Sequence, residues 1–160
     1  MKELRTETHI QAPVEKVWQI LTDTDQYNEW NPFIKSLQGS LREGERIQVE
    51  LQPADKKSMT IRPKIVSIQK DKELRWKGRL IMPGIFDGEH IFELTELEDH
   101  STRFIHREKF SGILVPLLRK MLNDNTRRGF ERMNQRLKER CESNDPALAH
   151  QPFRSNESIA

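Results

Sequence analysis

The chain has 160 residues, 34% of them apolar and 32% charged, and its 27 Lys and Arg nearly balance its 25 Asp and Glu. This length fits one domain that can bury a core without covalent cross-links, and the charge balance excludes a generally polycationic nucleic-acid binder. The single cysteine, Cys141, excludes an internal disulfide framework and a multi-cysteine zinc module.

The N-terminal third predicts one strand and two short helices. Residues 1–8 lack the apolar stretch of a signal peptide, and the polar alternation over 3–10 predicts a strand. Pro13 is suited to a first helical position, and the apolar residues that follow at helical spacing predict an amphipathic helix over 13–22. A second short helix, carrying Tyr27 and Trp30, is expected to end at Pro32.

Residues 33–110 contain turn signals at strand-like spacing, with period-two alternation between them. Ile47, Val49 and Leu51, for example, alternate with polar residues. Six consecutive short strands with no helix between them predict an antiparallel meander with one solvated face. With the N-terminal strand, the predicted sheet has seven strands.

The period becomes helical from about residue 112 to 141, and the apolar positions form one stripe: Ile113, Leu114, Leu117, Leu118, Met121, Leu122, Phe130, Met133 and Leu137. A sheet with one buried face needs a cover, and this helix supplies it. We therefore predict an α+β fold, a curved antiparallel seven-stranded sheet wrapped around a long C-terminal helix. Residues 1–143 form this domain, and 144–160, which have no periodicity, are predicted to be a disordered tail.

Three groups of residues resemble the START-like (SRPBCC) superfamily, in its polyketide cyclase/dehydrase and lipid-transport branch. They are Ala12-Pro13 with Val17-Trp18, Tyr27 and Trp30-Asn31-Pro32-Phe33; then Pro83-Gly84, Gly88, His90 and Phe92; then Thr102-Arg103, His106, Glu108, Phe110, Gly112 and Leu114 to Pro116. The resemblance covers roughly residues 3–141. It implies a helix-grip fold with an apolar cavity between the sheet and the long helix, and it implies function only loosely, because that superfamily includes carriers, cyclases and regulatory domains.

The predicted ligand-binding residues are those whose strand or helix register faces this cavity. They are Trp76, Leu80, His90, Phe92, Phe104, His106, Glu108, Leu118, Leu122, Asn125 and Thr126. A gap left between the sheet and the helix would take an apolar ligand. If the side chains instead meet tightly, the same residues are only core.

His106 and Glu108 are the candidate catalytic residues. They lie two apart on one strand face, roughly 7 Å between Cα atoms. A carboxylate beside a histidine could hold an imidazolium, orient a ligand carbonyl or act as a general base. Alternatively, both residues lie near a strand end in solvent or pair with basic helix residues. For His90, which follows Gly88 at a strand start, exposure at the edge is expected.

The apolar stripe of the long helix is interrupted between Leu122 and Phe130. Asn125 or Thr126 could donate a hydrogen bond to a ligand there, and Gly129 would leave room for one. The alternative is that the middle of this helix reaches the cavity mouth and is solvated.

The helix also carries a basic outer face. Residues 111–141 hold eight Lys and Arg against three Asp and Glu. This face could attract an anionic membrane surface, a nucleic acid or an acidic partner, although runs of charge usually mark solvent-exposed positions. The five histidines include no His-x-x-x-His pair, and no nucleotide or hydrolase motif is present, so no metal and no cofactor is predicted.

The sequence therefore favours a cytoplasmic protein that binds a small hydrophobic or aromatic ligand. We expect no nucleic-acid partner and no stable membrane insertion, since no apolar run could span a bilayer. Two alternatives remain open: a cyclase- or dehydratase-type enzyme that uses the same cavity, and a regulatory domain that acts through the basic helix face. The ligand, the oligomeric state and whether the protein is an enzyme are left undetermined by the sequence.

Overall fold

Eight strands and three helices make up the computed structural model, which describes residues 1–54, 57–79 and 84–143, without the side chains of 118–123. The strands are β1 (Lys2–Ile10), β2 (Ile34–Gln38), β3 (Gln48–Leu51), β4 (Met59–Ile61), β5 (Lys64–Gln69), β6 (Glu73–Arg79), β7 (Asp87–Glu96) and β8 (Thr102–Ser111). The helices are α1 (Val14–Thr22), α2 (Tyr27–Trp30) and α3 (Val115–Glu142), with a short 3₁₀ turn over Thr24–Gln26. The α+β class and the order of elements are as predicted.

The strands form two antiparallel sheets rather than the single seven-stranded sheet that the sequence suggested. One sheet has the order β1-β8-β7-β6-β5 and the other the order β2-β3-β4. The reason lies at Pro63, between β4 and β5, which helps to divide residues 33–110 into seven strands where six were predicted. Proline has no N–H to donate to a ladder and has a fixed φ, so pairing breaks there and the chain passes to the other sheet. A bridge between Arg46 and Lys64, with a hydrogen bond from the Ile47 N–H to the Pro63 carbonyl (3.0 Å), links the two sheets.

The helices at the N-terminal end of the core begin and end close to the predicted residues. Val14, Val17, Trp18 and Leu21 form the buried face of α1. The Asn31 side-chain oxygen accepts hydrogen bonds from the backbone N–H groups of Phe33 (3.0 Å) and Ile34 (2.8 Å), which fixes the chain after α2. Phe33 is thereby held with its side chain in the core.

Helix α3 covers the inner face of the five-stranded sheet, and the strand register places the residues of that face. Trp76, His90, Glu108 and Leu4 lie directly opposite one another on β6, β7, β8 and β1. Leu74, Phe92, His106 and Thr6 form the next set of cross-strand neighbours, and Gly78, Gly88, Phe110 and Lys2 form the set on the other side. These three sets carry the candidate site.

Two further predictions concern the chain ends and the membrane. The predicted tail over 144–160 lies outside the described residues. Among the helices that are described, none combines the length and the apolar character needed to cross a bilayer.

Candidate functional site

A chain of hydrogen-bonded polar side chains lies in the middle of the inner sheet face. The Nε2 atoms of His90 and His106 are 2.9 Å apart, and His106 Nδ1 is 2.9 Å from Asn134 Oδ1 on α3. Asn134 Nδ2 donates to Thr6 Oγ1 (2.9 Å), whose hydroxyl donates to the backbone carbonyl of His106 (3.1 Å). At the other end, His90 Nδ1 is 3.3 Å from Glu108 Oε2. Five side chains from β1, β7, β8 and α3 thus form one continuous chain.

Burial fixes the charge state of this chain. Removal from water disfavours a charged imidazole and a charged carboxylate alike. Burial lowers the pKa of His90 to about 3, and burial together with the neighbouring His90 lowers the pKa of His106 well below its usual value. Burial raises the pKa of Glu108 to about 8, although one edge of its side chain remains 16% exposed. At neutral pH the contact between His90 and Glu108 is therefore a hydrogen bond between neutral groups.

Aromatic rings enclose the two imidazoles. The His106 ring stacks on Phe130 with centroids 3.6 Å apart, and the His90 ring lies parallel to Trp76 at 4.7 Å. Phe92 contacts both imidazoles, at 4.7 and 4.8 Å. Phe92, Phe104, Phe130 and His106 have no accessible surface at all, so no water-sized space touches them. We call this cluster of Trp76, His90, Phe92, Phe104, His106 and Phe130 the histidine end of the inner face.

On the side of Glu108 away from the histidine end, the inner face of the sheet carries fewer side chains. Gly78 and Gly88 are directly opposite each other on β6 and β7, so two neighbouring strands carry no side chain at this point. A Cβ atom at Gly88 would lie 2.7 Å from Glu108 Oε1, which shows that the carboxyl group occupies the space above Gly88. A Cβ at Gly78 would meet Pro63 and Ile61 only at ordinary contact distances of 3.4 and 3.8 Å. We call Gly78, Gly88 and Phe110 the glycine end.

Most of the predicted site residues on the strands belong to the histidine end, and none of them belongs to the glycine end. Trp76, His90, Phe92, Phe104 and His106 come together at the histidine end, where they pack as core, and a ligand could reach them only by displacing the rings that cover them. Glu108 lies between the two ends. The expectation that His90 is exposed at an edge is wrong, since His90 is 3% exposed in the central strand of the sheet, covered by Trp76 and Phe33.

The structure describes only some of the remaining predicted site residues. Asn125 and Thr126 are half-buried on α3, and Asn125 Oδ1 accepts a hydrogen bond from Arg128. Gly129 makes room for a side chain and not for a ligand, because a Cβ there would lie 2.5 Å from Phe33 Cδ2. Leu80 lies outside the described residues, and the side chains of Leu118 and Leu122 are not described.

Two members of the polar chain were missed by the sequence reading, although the sequence contains a signal for each. Thr6 falls on the inner register of β1, two residues after the buried Leu4. Asn134 lies between Phe130 and Leu137 in the apolar stripe of α3, four residues from the first and three from the second. A polar residue within an apolar stripe indicates a buried hydrogen bond, since an unpaired polar group there would be costly.

Two other groups of polar residues are less suited to form a functional site. A groove of about 690 Å³ opens on the outer side of the sheet, but charged residues such as Glu73, Glu93 and Lys72 line it. His9, Ser101 and Asp99 are also joined, yet the Ser101 hydroxyl bonds Asp99 directly, which is not the order of a hydrolytic triad. Within the described residues no group of three or more potential ligands is arranged to hold a metal ion.

Comparison with protein families gives a match over most of the chain. Residues 1–142 match the family described as polyketide cyclase / dehydrase and lipid transport. The chain belongs to this family. The resemblance inferred from the sequence is therefore confirmed, and membership indicates ligand binding or a cyclase-type role without specifying a ligand or an activity. A comparison with functionally curated proteins gives no match.

Several solved structures share the fold. Protein MLL2253 from Mesorhizobium loti is 19% identical, with a TM-score of 0.69 over 90% of this chain and 99% of that chain. Protein jhp0584 from Helicobacter pylori is 17% identical, with a TM-score of 0.71 over 88% of each chain. DynU16, a protein from the dynemicin biosynthetic locus, is 16% identical, with a TM-score of 0.67 over 96% of this chain and 51% of that chain. At these identities the likeness shows the fold alone.

Proposed function

We propose that the chain binds a small, largely apolar ligand, of a hydrophobic, aromatic, lipid-like or polyketide-like kind, between the glycine end of the sheet and the first half of α3. The observation that carries the proposal is the facing pair Gly78 and Gly88 beside Glu108. Two neighbouring strands carry no side chain at this point of a face that a helix covers, and the Glu108 carboxyl group borders the space that they leave.

The surroundings of the glycine end favour an apolar guest. Ile61 and Pro63 stand beside Gly78, and the Phe110 side chain, which also contacts Phe86 at 5.7 Å between centroids, lies across from Gly88. Glu108 is half-buried beside this surface, in contrast to the closed histidine end. Apolar walls would supply most of the affinity, and the single carboxyl group would fix the orientation of the ligand.

A titration with a neutral fluorescent apolar probe, N-phenyl-1-naphthylamine, tests this proposal. The Gly78→Val substitution places a side chain in the space beside Ile61 and Pro63 and is expected to weaken probe binding at least tenfold. Lys77→Val is the matched control, because it adds the same side chain at the adjacent, outward-facing position of β6. Equal binding by both variants and the wild type, or no binding by the wild type, would contradict the proposal.

A cyclase- or dehydratase-type enzyme is the second candidate, and one observation favours it. Glu108 has a pKa raised to about 8 by burial and a hydrogen-bonded imidazole beside it. An acid that titrates close to neutral pH can donate and accept protons in a reaction. Glu108→Gln separates the two candidates: a carrier retains its ligand in this variant, whereas an enzyme binds the substrate and loses turnover.

Native mass spectrometry of the purified protein gives an independent check. A carrier is expected to retain a small apolar molecule from the expression host, and Gly78→Val is expected to reduce the retained fraction. A ligand retained equally by both proteins would place the binding space elsewhere in the molecule.

A further inference from the structure

In the structure the hydrogen bonds of the polar chain run in one direction, which the Thr6 hydroxyl and the Asn134 amide set. The His106 carbonyl can only accept, so the Thr6 hydroxyl donates to it and accepts from the Asn134 amide. The Asn134 oxygen therefore faces His106 Nδ1, which must carry a proton. A neutral His106 then has a bare Nε2, and His90 must supply the proton of that contact.

This direction continues to Glu108. A neutral His90 that is protonated on Nε2 has a bare Nδ1, and the group facing it is Glu108 Oε2. Oε2 must therefore carry the acid proton and donate it to His90. The other oxygen, Oε1, stands above Gly88 and has no hydrogen-bond donor among the described residues. It is a carbonyl-type oxygen, which only accepts.

We infer that the ligand of the glycine end carries a hydroxyl or N–H group that donates to Glu108 Oε1, and that ligands with a carboxylate at this position are rejected. This inference rests on the function proposed above. The polar chain sets the specificity. Its hydrogen-bond direction places the acid proton of Glu108 on Oε2, so Oε1 can accept a hydrogen bond but cannot donate one. A ketone, an ether or an anion would place a second acceptor against Oε1, and both would remain unpaired.

The inference holds whether the acid proton stays on Glu108 Oε2 or passes to His90 Nδ1. If the proton passes from Glu108 to His90 Nδ1, an imidazolium faces a carboxylate, and Oε1 becomes a stronger acceptor. In both states the ligand must donate. Glu108→Gln reproduces the neutral state, since the amide nitrogen can donate to His90 and the amide oxygen can take the place of Oε1. Glu108→Met keeps the approximate length of the side chain and removes the acceptor.

The experiment compares 1-naphthol, 1-methoxynaphthalene and 1-naphthoate, which share one ring system and differ in the polar group, by calorimetric or fluorescence titration at pH 7. The wild type is expected to bind 1-naphthol at least tenfold more tightly than the methyl ether, and to bind the carboxylate most weakly. Glu108→Gln is expected to keep this order, and Glu108→Met to bind the naphthol and the ether about equally.

The outcomes separate the two proposals. If the wild type binds the naphthol and the ether with equal affinity, or prefers the carboxylate, this inference is overturned while ligand binding stands. If it binds N-phenyl-1-naphthylamine but none of the three, this inference fails and ligand binding stands, and if it binds none of the four compounds, both proposals fail. Loss of the naphthol preference in Glu108→Gln would also overturn the inference, since that side chain retains the acceptor. Should Glu108→Met fail to fold, the wild-type ratio and the Glu108→Gln variant still decide the question.

Discussion

The two ends of the inner sheet face are built from the same strands and behave as opposite kinds of surface. At the histidine end six rings pack together, and Phe92, Phe104, His106 and Phe130 have no accessible surface. At the glycine end, two residues further along β6 and β7, two side chains are missing. The comparison shows that the packing of one sheet face can change from closely packed rings to a stretch without side chains over one set of cross-strand neighbours.

Glu108 lies at the boundary between these ends, and the polar chain connects it to the packed core. Its partner His90 is held by Trp76, and His106 is held by Phe130 and Asn134. A buried polar chain that is fully satisfied restricts the orientation of each member. The histidine end therefore positions the Glu108 carboxyl group, which borders the glycine end.

The largest expected effect is the loss of a ring at the histidine end. Phe130→Ala removes a side chain with no accessible surface that stacks on His106, and it is expected to lower the free energy of unfolding by about 3–5 kcal/mol. Urea denaturation measures this. Leu117→Ala is the control in the same helix, because Leu117 is 80% exposed and should change stability by less than about 0.5 kcal/mol. Similar losses in both variants would mean that the histidine end is not closely packed.

The second effect is a pH dependence caused by Glu108. Its pKa is raised from 4.5 to about 8 in the folded protein. As the pH rises from 4.5 towards 8 the unfolded chain releases this proton and the folded chain keeps it, so the free energy of unfolding falls across that window. Between pH 6 and 9 the wild type is expected to lose about 2 kcal/mol that Glu108→Gln does not lose. Parallel curves for the two proteins would show that Glu108 is not held neutral.

Unfolding measurements extended below pH 6.5 provide an internal control. Burial lowers the pKa of His90 from 6.5 to about 3, so the unfolded chain binds this proton first as the pH falls, and the folded state is disfavoured below pH 6.5. Because the Glu108→Gln variant retains both histidines, it is expected to keep this acid-side loss. Loss of both slopes in the variant would mean that the polar chain collapses when Glu108 is changed.

A smaller effect is expected where α3 meets Phe33. Gly129→Ala places a Cβ 2.5 Å from Phe33 Cδ2, and the overpacking should cost about 1–2 kcal/mol even though alanine favours a helix by about 1 kcal/mol. Glu131→Ala, at an exposed position two residues away, serves as the control. Combining Gly129→Ala with Phe33→Leu should recover part of the loss, and purely additive costs would argue against the contact.

The smallest effect on stability is expected at the glycine end. Gly78→Val adds a residue that favours strands at a position with ordinary contact distances, so stability should stay the same or rise by up to about 1 kcal/mol. A thermal melt of this variant, beside the binding titration, sharpens the comparison. A loss of more than about 2 kcal/mol would mean that the glycine end is already filled.

The sequence by itself determined the elements and their faces. Helical spacing located α1 and the helix over 112–141, and the strand period placed His106, Glu108 and Phe110 on one face, because a period of two leaves no other choice within one strand. Residue types and order were also enough to identify the family, which the match over residues 1–142 confirms. Each of these properties is local to one segment or to the order of segments.

The tertiary structure decided which residues meet. Sequence spacing paired Glu108 with His106, roughly 7 Å away along one strand. In the fold Glu108 meets His90 across the strands, and His106 meets Asn134, which is 28 residues away in the chain. The facing of Gly78 and Gly88 likewise follows from register between segments. Register is set by pairing and packing of distant segments, and no single segment contains that information.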